Sequence, residues 1–310
     1  MKTTEKKTTS TRLSPEEALK HVQRIFKERG SEALKTAKEE ALKEEIECKG
    51  AQEALTYFMT ECWHDLARPA LLSIVCEAVG GNPSITTPVA VPMILISGAI
   101  DIHDDIIDQS KTKEGRPTVY GKYGKEIALL AGDALLFKGF NLLNGAVDKG
   151  VPVHKLSIIS DIITQSFFEL GDAEALELSF RGRTDVTPKE YLNVVRKKAA
   201  DVEAHTRIGA ILGGGTVNEV KALSNYGRLL GIVKILRDDA VDMADSEEFL
   251  HRFMKEHLPI PLLYALQNPR NSSEIRSILS KKALTKKEIR DIQRLTYNRG
   301  GFKDLEEVMH

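Results

Sequence analysis

The chain is poor in cysteine, carries no excess charge of either sign, and lacks both a long unbroken apolar run and a Gly/Pro/Ser-rich linker. Only three cysteines occur among 310 residues, Cys48, Cys62 and Cys76, each inside a helical pattern and none in a C-x-x-C pair. That excludes a disulfide framework or a thiolate metal cage and suits a reducing cytoplasm. Lys and Arg total 44 against 45 Asp and Glu, a net charge of −1. No general basic field is available to hold nucleic acid or anionic lipid, so a partner must be met at a local site. The most apolar stretch, Val89 to Ile100, is interrupted by Pro92 and falls well short of the roughly 20 residues of a membrane helix, so no stable membrane insertion is expected. Residues 1–12 are rich in Thr and Lys, without an apolar h-region or an Arg-rich amphipathic face, and read as a loose tail rather than a cleavable targeting segment. With no composition shift or repeat to divide it, 13–310 is expected to be a single domain, and 42% hydrophobic residues suffice for a sizeable core.

What is present is helical patterning. Apolar spacings of three and four recur from Leu13 almost to the C-terminus with charged faces opposite, so the chain is expected to be all-α. Ser14-Pro15-Glu16-Glu17 supplies an N-cap, a proline at the first helical position and acids in the first turn, with Gly30 expected to close that helix; Thr187-Pro188-Lys189-Glu190 repeats the device. Breaks at Gly80-Gly81-Asn82-Pro83, Gly115-Arg116-Pro117, Gly150-Val151-Pro152, Arg181-Gly182-Arg183, Gly213-Gly214-Gly215 and Asn268-Pro269 leave roughly a dozen helices, several about 20 residues long. The stretch from Ser272 onward is more charged and is expected to lie outside the bundle core.

Two acidic stripes interrupt this pattern. Asp101, Asp104, Asp105 and Asp108 stand at i, i+3, i+4 and i+7 in an otherwise apolar stretch, placing four negative charges on one helix face. Buried unpaired carboxylates cost several kcal/mol or take up protons, so such a face requires cations. Oxygen-only ligands favour hard ions, and Mg²⁺ typically shares one or two carboxylates with a substrate phosphate. The spacing recurs 134 positions on (238 − 104), in Asp238, Asp239 and Asp242 after the run Leu229 to Leu236. Two facing D-D-x-x-D helices suit several Mg²⁺ ions around one diphosphate, neutralising it as a leaving group.

With these residues the chain resembles the trans-isoprenyl diphosphate synthases, the polyprenyl synthetase family that includes geranylgeranyl and farnesyl diphosphate synthases. The resemblance runs from about Trp63 to Leu266. Its elements are Ala67-Arg68-Pro69, His103-Asp104-Asp105-x-x-Asp108, Gly115-Arg116-Pro117-Thr118, Ala131-Gly132-Asp133-Ala134-Leu135-Leu136, Tyr191 before Lys197, Gly209-Ala210, Asp238-Asp239-x-x-Asp242 and Lys255 before Leu258-Pro259. It implies a helix bundle around a deep central cavity, usually dimeric, sometimes a heteromer with another synthase. It also implies about three Mg²⁺, with Mn²⁺ as an alternative ion, on Asp104, Asp105, Asp108, Asp238, Asp239 and Asp242. The allylic prenyl diphosphate substrate would be contacted by Lys113, Lys197 and Lys255, and Arg68 is the one cation that remains of the family's acceptor diphosphate site. Loss of diphosphate would leave an allylic cation, which in most members is attacked by isopentenyl diphosphate; Asp104, Asp105, Asp108, Asp238, Asp239 and Lys197 would carry this chemistry.

The acceptor half departs from the family pattern. Where the family usually has G-K-x-x-R-P, a His or Gln seven positions before the first motif, and an arginine before the turn glycine, this chain has His64-Asp65-Leu66-Ala67-Arg68-Pro69, Ser97 and Glu114. Two cations have become acids, and each contact of a cation to phosphate is worth on the order of 1.5–3 kcal/mol. The cavity departs too: Lys234-Ile235 replaces Phe-Gln, Lys197-Lys198 replaces Lys-Thr, and Asp201, Glu203 and His205 stand where apolar residues are common. Asp101 and Lys234, each near one turn before its motif, either pair across the cavity, which is the expectation tested below, or leave Lys234 turned outward. Gly98, Ala99 and Ile100 bring no aromatic before the first motif, so products of C20 or longer fit. Elongation with an altered acceptor leads; a terpene-synthase-like reaction without isopentenyl diphosphate and a regulatory subunit remain alternatives. A di-iron bundle built on Glu61-x-x-His64 and Glu248-x-x-His251 is the rival metal chemistry.

Overall fold

A computed structural model describes residues 14–267, 269–281 and 283–309, so the expected tail at 1–12 lies outside the described residues. Among these there are fifteen α-helices: α1 (Pro15–Ala41), α2 (Lys49–Tyr57), α3 (Ala67–Ala78), α4 (Thr87–Ile107), α5 (Val119–Tyr123), α6 (Lys125–Asn144), α7 (Val153–Leu178), α8 (Pro188–Lys198), α9 (Ala200–Leu212), α10 (Val217–Ala244), α11 (Ser246–Lys255), α12 (Ile260–Gln267), α13 (Pro269–Leu279), α14 (Lys286–Asn298) and α15 (Gly301–Met309). The chain forms one helical domain. The sole sheet among the described residues is a ribbon, β1 (Thr112–Lys113) against β2 (Arg116–Pro117). Glu114 and Gly115 turn it with φ of 51° and 75°, the left-handed pair that a two-residue hairpin demands.

The caps form as their residues dictate. Ser14 and Glu17 close a capping box on α1, Thr187 and Glu190 on α8, and Thr216 and Glu219 on α10, each satisfying donors that the first turn leaves unpaired. Gly30 does not end α1, contrary to the sequence reading. It lies in mid-helix because α3 starts against it: a Cβ there would sit 2.6 Å from the Leu66 carbonyl oxygen. Ala normally stabilises a mid-helix position relative to Gly by up to about 1 kcal/mol. Here the backbone contact reverses the sign, and Gly30→Ala is expected to cost about 1–3 kcal/mol in urea unfolding. An unchanged midpoint would mean that α1 and α3 do not meet as described.

Helix α4 also overturns an expectation. Pro92 does not divide the apolar run; with the turn before α4, Pro83–Ile107 forms a helical stretch long and apolar enough, by length and composition, to cross a membrane. It is a core helix instead, with 72% of its most apolar window buried inside the protein. Val89, Leu95, Ala99 and Ile102 are sealed, and α6 packs along α4 so closely that Cβ atoms on Gly132 and Gly139 would meet His103 at 2.5 Å and Ile96 at 2.7 Å. The helices after Ser272 are not outside the core either. Ile275, Leu279, Ile289, Ile292, Leu295 and Leu305 join α8, α10 and α12 in one apolar cluster that braces the end of α10.

Candidate active site

The acidic row on α4 divides into two pairs because successive helical residues rotate by about 100°. Asp101 and Asp105, i and i+4, turn toward the β-ribbon, where Lys113 Nζ lies 2.6 Å from Asp101 Oδ1 and 3.7 Å from Asp105 Oδ1. Asp104 and Asp108 face the other way. Arg181 Nη2 donates to the Ile107 carbonyl (2.6 Å) and lies 3.3 Å from Asp108 Oδ1, while Lys198 and Lys113 are the cations that offset Asp104. Burial pushes Asp105 up to about 7 and Asp108 up to about 8, and it raises Asp104 as well, with neighbouring carboxylates adding to the effect. Burial alone would lower Lys113, but Asp101 and Asp105 outweigh it and hold the ammonium above its usual range.

The second stripe is less open than its spacing suggests. Asp238, the outermost, takes Lys234 Nζ at 2.7 Å, one turn back on α10. Lys234 is thus satisfied locally, and Asp101 is taken by Lys113, so the expected Asp101–Lys234 pair does not form although both residues line the same cavity. Asp239 is buried and occupied on both oxygens: Oδ1 accepts from Arg252 Nη1 (2.6 Å) and the Tyr191 hydroxyl (3.1 Å), and Oδ2 from Ile260 N (3.0 Å). Both of its oxygens thus accept hydrogen bonds within the protein, unlike those of Asp238. Asp242 shares Arg252 Nη1 at 3.0 Å, and burial raises its carboxyl.

The lysine assignment shifts by one residue. Lys197 does not reach the cavity; its Nζ pairs with Asp172 at 2.7 Å. Lys198 does, because the last turn of α8 carries it inward to Glu174 (2.9 Å) and Glu177 beside Asp104. Burial would raise Glu177, but its contacts with His257 and Lys198 hold it below the usual carboxylate range. Lys255 crosses from the end of α11 to Gln109 Oε1 (3.0 Å), just past the first motif. Arg181, Glu174, Glu177 and Arg252 were not singled out from the sequence; Arg181 was visible only as part of a helix break, and nothing in local spacing marks the others.

Two voids meet at this centre. A cavity of about 500 Å³ is lined by Asp101 and Asp104 of α4, Lys198 of α8, Asp201 and His205 of α9, and Lys234 and Arg237 of α10, with Ile100, Leu170 and Ile235 on its apolar wall. The helices carrying the two stripes therefore face one cavity, although the Asp238 side chain is not itself in the lining. A neighbouring void of about 430 Å³ lies between the segment after α2 and the β-ribbon, and shares Trp63, Asp65, Arg68, Asp101 and Lys234 with the first. Its two arginines are engaged to different degrees. Arg68 donates from Nε to Asp201 (2.7 Å) and from Nη1 to Asp65 (2.8 Å), and Arg116 from Nη1 to the Glu61 carbonyl (2.8 Å). The buried Trp63 indole N–H lines both voids and has no acceptor among the described residues.

The donor set fits a hard cation. Asp104, Asp108 and Asp238 offer oxygen only, and the raised carboxyls on α4 mark an excess of negative charge that protons relieve in part. Among the described residues no three Asp, Glu, His or Cys side chains form a ready-made metal cage. The E-x-x-H segments of the di-iron alternative form no such group among the described residues. His251 instead pairs with Glu256 (3.2 Å), and His64 Nε2 meets the Glu61 carbonyl (3.0 Å).

These raised carboxyls give a pH prediction. In the unfolded chain Asp titrates near 4, whereas folded Asp105 and Asp108 keep protons to about 7 and about 8. Between those limits the folded state binds more protons, so stability falls as pH rises. Without metal, the melting temperature is expected to drop between pH 5.5 and 8. His251, raised by Glu256, and Glu174, raised by burial to about 7, add the same sign, so Asp105→Asn/Asp108→Asn isolates the share of these two carboxyls: it should make the slope shallower. A slope equal to that of the unaltered chain would show that these carboxyls do not titrate as described.

A bundle closed around a cavity that two acid-bearing helices face defines an isoprenoid-synthase-type architecture. The model of the polyprenyl synthetase family matches residues 52–296, and the chain belongs to that family of trans-isoprenyl diphosphate synthases. It is 39% identical over 184 residues to a geranylgeranyl diphosphate synthase of Methanosarcina mazei, covering 59% of this chain and 56% of that protein. It is 38% identical over 184 residues to a short chain isoprenyl diphosphate synthase of Methanothermobacter thermautotrophicus, covering 59% and 55%. The chain thus spans little more than half the length of these relatives. The crystal structure of a geranylgeranyl pyrophosphate synthetase from Pyrococcus horikoshii superposes with a TM-score of 0.80 at 26% identity, over 93% of this chain and 89% of that one.

Proposed function

We propose that this chain is a Mg²⁺-dependent prenyltransferase of the cytoplasm that ionises an allylic prenyl diphosphate and passes the prenyl group to an acceptor, extending an isoprenoid chain. The observation that carries this reading is the cavity faced by α4 and α10, lined by carboxylates, cations and an apolar wall. Asp104, Asp108 and Asp238 would hold Mg²⁺, with Asp105 and Asp242 behind them. When bound, Mg²⁺ supplies charge neutralisation to the departing diphosphate. Lys198 and Lys113 add fixed positive charge around the leaving group, and Lys255 and Arg181 close its outer side. Ile100, Leu170 and Ile235 would sheath the tail and exclude water from the cation. Gly98, Ala99 and Ile100 put no aromatic on α4 directly before Asp101, which suits a tail of C20 or longer.

Homodimerisation is part of this reading. Helices α6 and α7 expose Leu130 (59%), Phe137 (76%) and Phe168 (77%), and exposed side chains of this size call for a cover. Phe137→Glu is expected to yield a monomer in light scattering; a wild-type monomer would remove this element.

A second reading has its own observation. Arg68, the one cation retained where the family grips its acceptor diphosphate, is locked between Asp65 and Asp201, and Glu114 stands where the family has an arginine. This favours conversion of the allylic diphosphate without isopentenyl diphosphate. Incubation with Mg²⁺ and dimethylallyl, geranyl, farnesyl or geranylgeranyl diphosphate, each with and without isopentenyl diphosphate, separates the two. Longer diphosphates formed only with it support elongation; diphosphate released without it supports the second reading. No turnover in either case would refute both and leave a regulatory subunit, which co-purification with an active synthase would then reveal.

A further inference from the structure

His205 is an anomaly in the apolar wall. It is 2% exposed, lies on α9, and lines both the main cavity and a small apolar extension walled by Ile96, Ile100, Ile163, Phe167 and Leu170. Its Nδ1 lies 2.8 Å from the Asp201 carbonyl oxygen, a group that can only accept, so Nδ1 carries the hydrogen and donates it. The Asp201 carboxylate stands 3.5 Å away and is itself fixed by Arg68 Nε at 2.7 Å. With Nδ1 committed, the neutral ring presents its lone pair at Nε2, and no described residue bonds that nitrogen. A structural core histidine has both nitrogens satisfied. This one keeps its basic nitrogen free in the compartment that Asp104 also lines.

We infer that His205 is the base that takes a proton from the allylic cation, so that the chain releases an acyclic conjugated polyene when no isopentenyl diphosphate is bound. The inference rests on the reading that this chain ionises an allylic diphosphate. The carbon–oxygen bond breaks and its electron pair leaves with the diphosphate. A C–H bond on a carbon next to the cationic centre then breaks; its electron pair forms the new double bond, and the proton goes to His205 Nε2. The imidazolium, still donating from Nδ1 to Asp201, returns that proton to released diphosphate or to water as product leaves. Asp201 and Arg68 are positioning residues in this scheme. Arg68, no longer free to grip an acceptor, braces the base that makes an acceptor unnecessary.

The test uses the full chain with Mg²⁺ and farnesyl or geranylgeranyl diphosphate, without isopentenyl diphosphate. Free diphosphate is counted in the same tube from which hydrocarbon and alcohol are extracted for mass spectrometry. Hydrocarbon is expected to account for most of the diphosphate released. Two variants of different shape, His205→Gln and His205→Leu, should each lower hydrocarbon per diphosphate by at least about tenfold, with alcohol rising in its place. Thermal melting shows which variant keeps the fold, and one suffices. If the wild type yields alcohol alone, the partition is unaltered in a folded variant, or diphosphate appears only with isopentenyl diphosphate as an elongated product, His205 is not the base while ionisation stands. No diphosphate under any condition would defeat the ionisation reading and this inference with it.

Discussion

Asp104→Ala is expected to slow release of diphosphate from an allylic substrate by about 10²–10³-fold or more, the scale of losing one preorganised group that stabilises charge as a bond breaks. Asp104 lines the main cavity and its nearest compensating charges are Lys198 and Lys113. Removing it leaves those cations in place but takes away a seat for the ion between protein and diphosphate. Asp238→Ala should match it, since Asp238 is the exposed acid of the second stripe on α10, the helix that faces the same cavity. Asp104→Ala should melt at or above the wild-type temperature without metal, because it removes a buried charge from a self-repelling row. Diphosphate release measured by a coupled phosphate assay checks the pair. Retention of more than about a tenth of the rate by either variant would sink the role proposed for that residue.

Arg252→Met should behave in the opposite way, with a collapse of stability. Arg252 is 7% exposed and Asp239 4%, and the guanidinium also holds Asp242 at 3.0 Å and His257 at 2.8 Å. Breaking a buried pair from one side leaves the partner charged and unsolvated, at about 3–5 kcal/mol. Asp239 would retain only the Tyr191 hydroxyl and Ile260 N–H. Urea unfolding is the measurement. A loss below about 1 kcal/mol would mean that the second stripe does not depend on this arginine. Asp239→Asn should reproduce much of the loss, which separates its anchoring task from the exposed position of Asp238.

Much of this architecture was legible in the residues. Capping boxes at Ser14 and Thr187 marked helix starts, and the glycine-proline breaks fell between helices, because caps and breakers act within one turn of chain. Long-range contacts were not legible. Gly30 looks like a stop until Leu66 is brought against it from another helix. Lys197 and Lys198 are equivalent in any window of sequence, and only the phase of the last turn of α8 sends one to Asp172 and the other to Glu177. The two D-D-x-x-D segments have identical spacing, yet only the fold brings Arg252, Tyr191 and the Ile260 N–H onto Asp239. Lys234 was paired with Asp101 across the cavity on charge grounds; an acid one turn away on its own helix was the nearer partner.

Helix α4 has one further consequence. While the chain is being synthesised, the stretch Pro83–Ile107 would leave the ribosome as a segment greasy enough to be mistaken for a bilayer anchor. The aspartates at its far end oppose that error, since each carboxylate driven to mid-bilayer costs about 2.5–3.5 kcal/mol on insertion scales. Variants that strip several of these acids at once thus risk diverting newly made protein to lipid, and their inactivity carries meaning only once cell fractionation has located them.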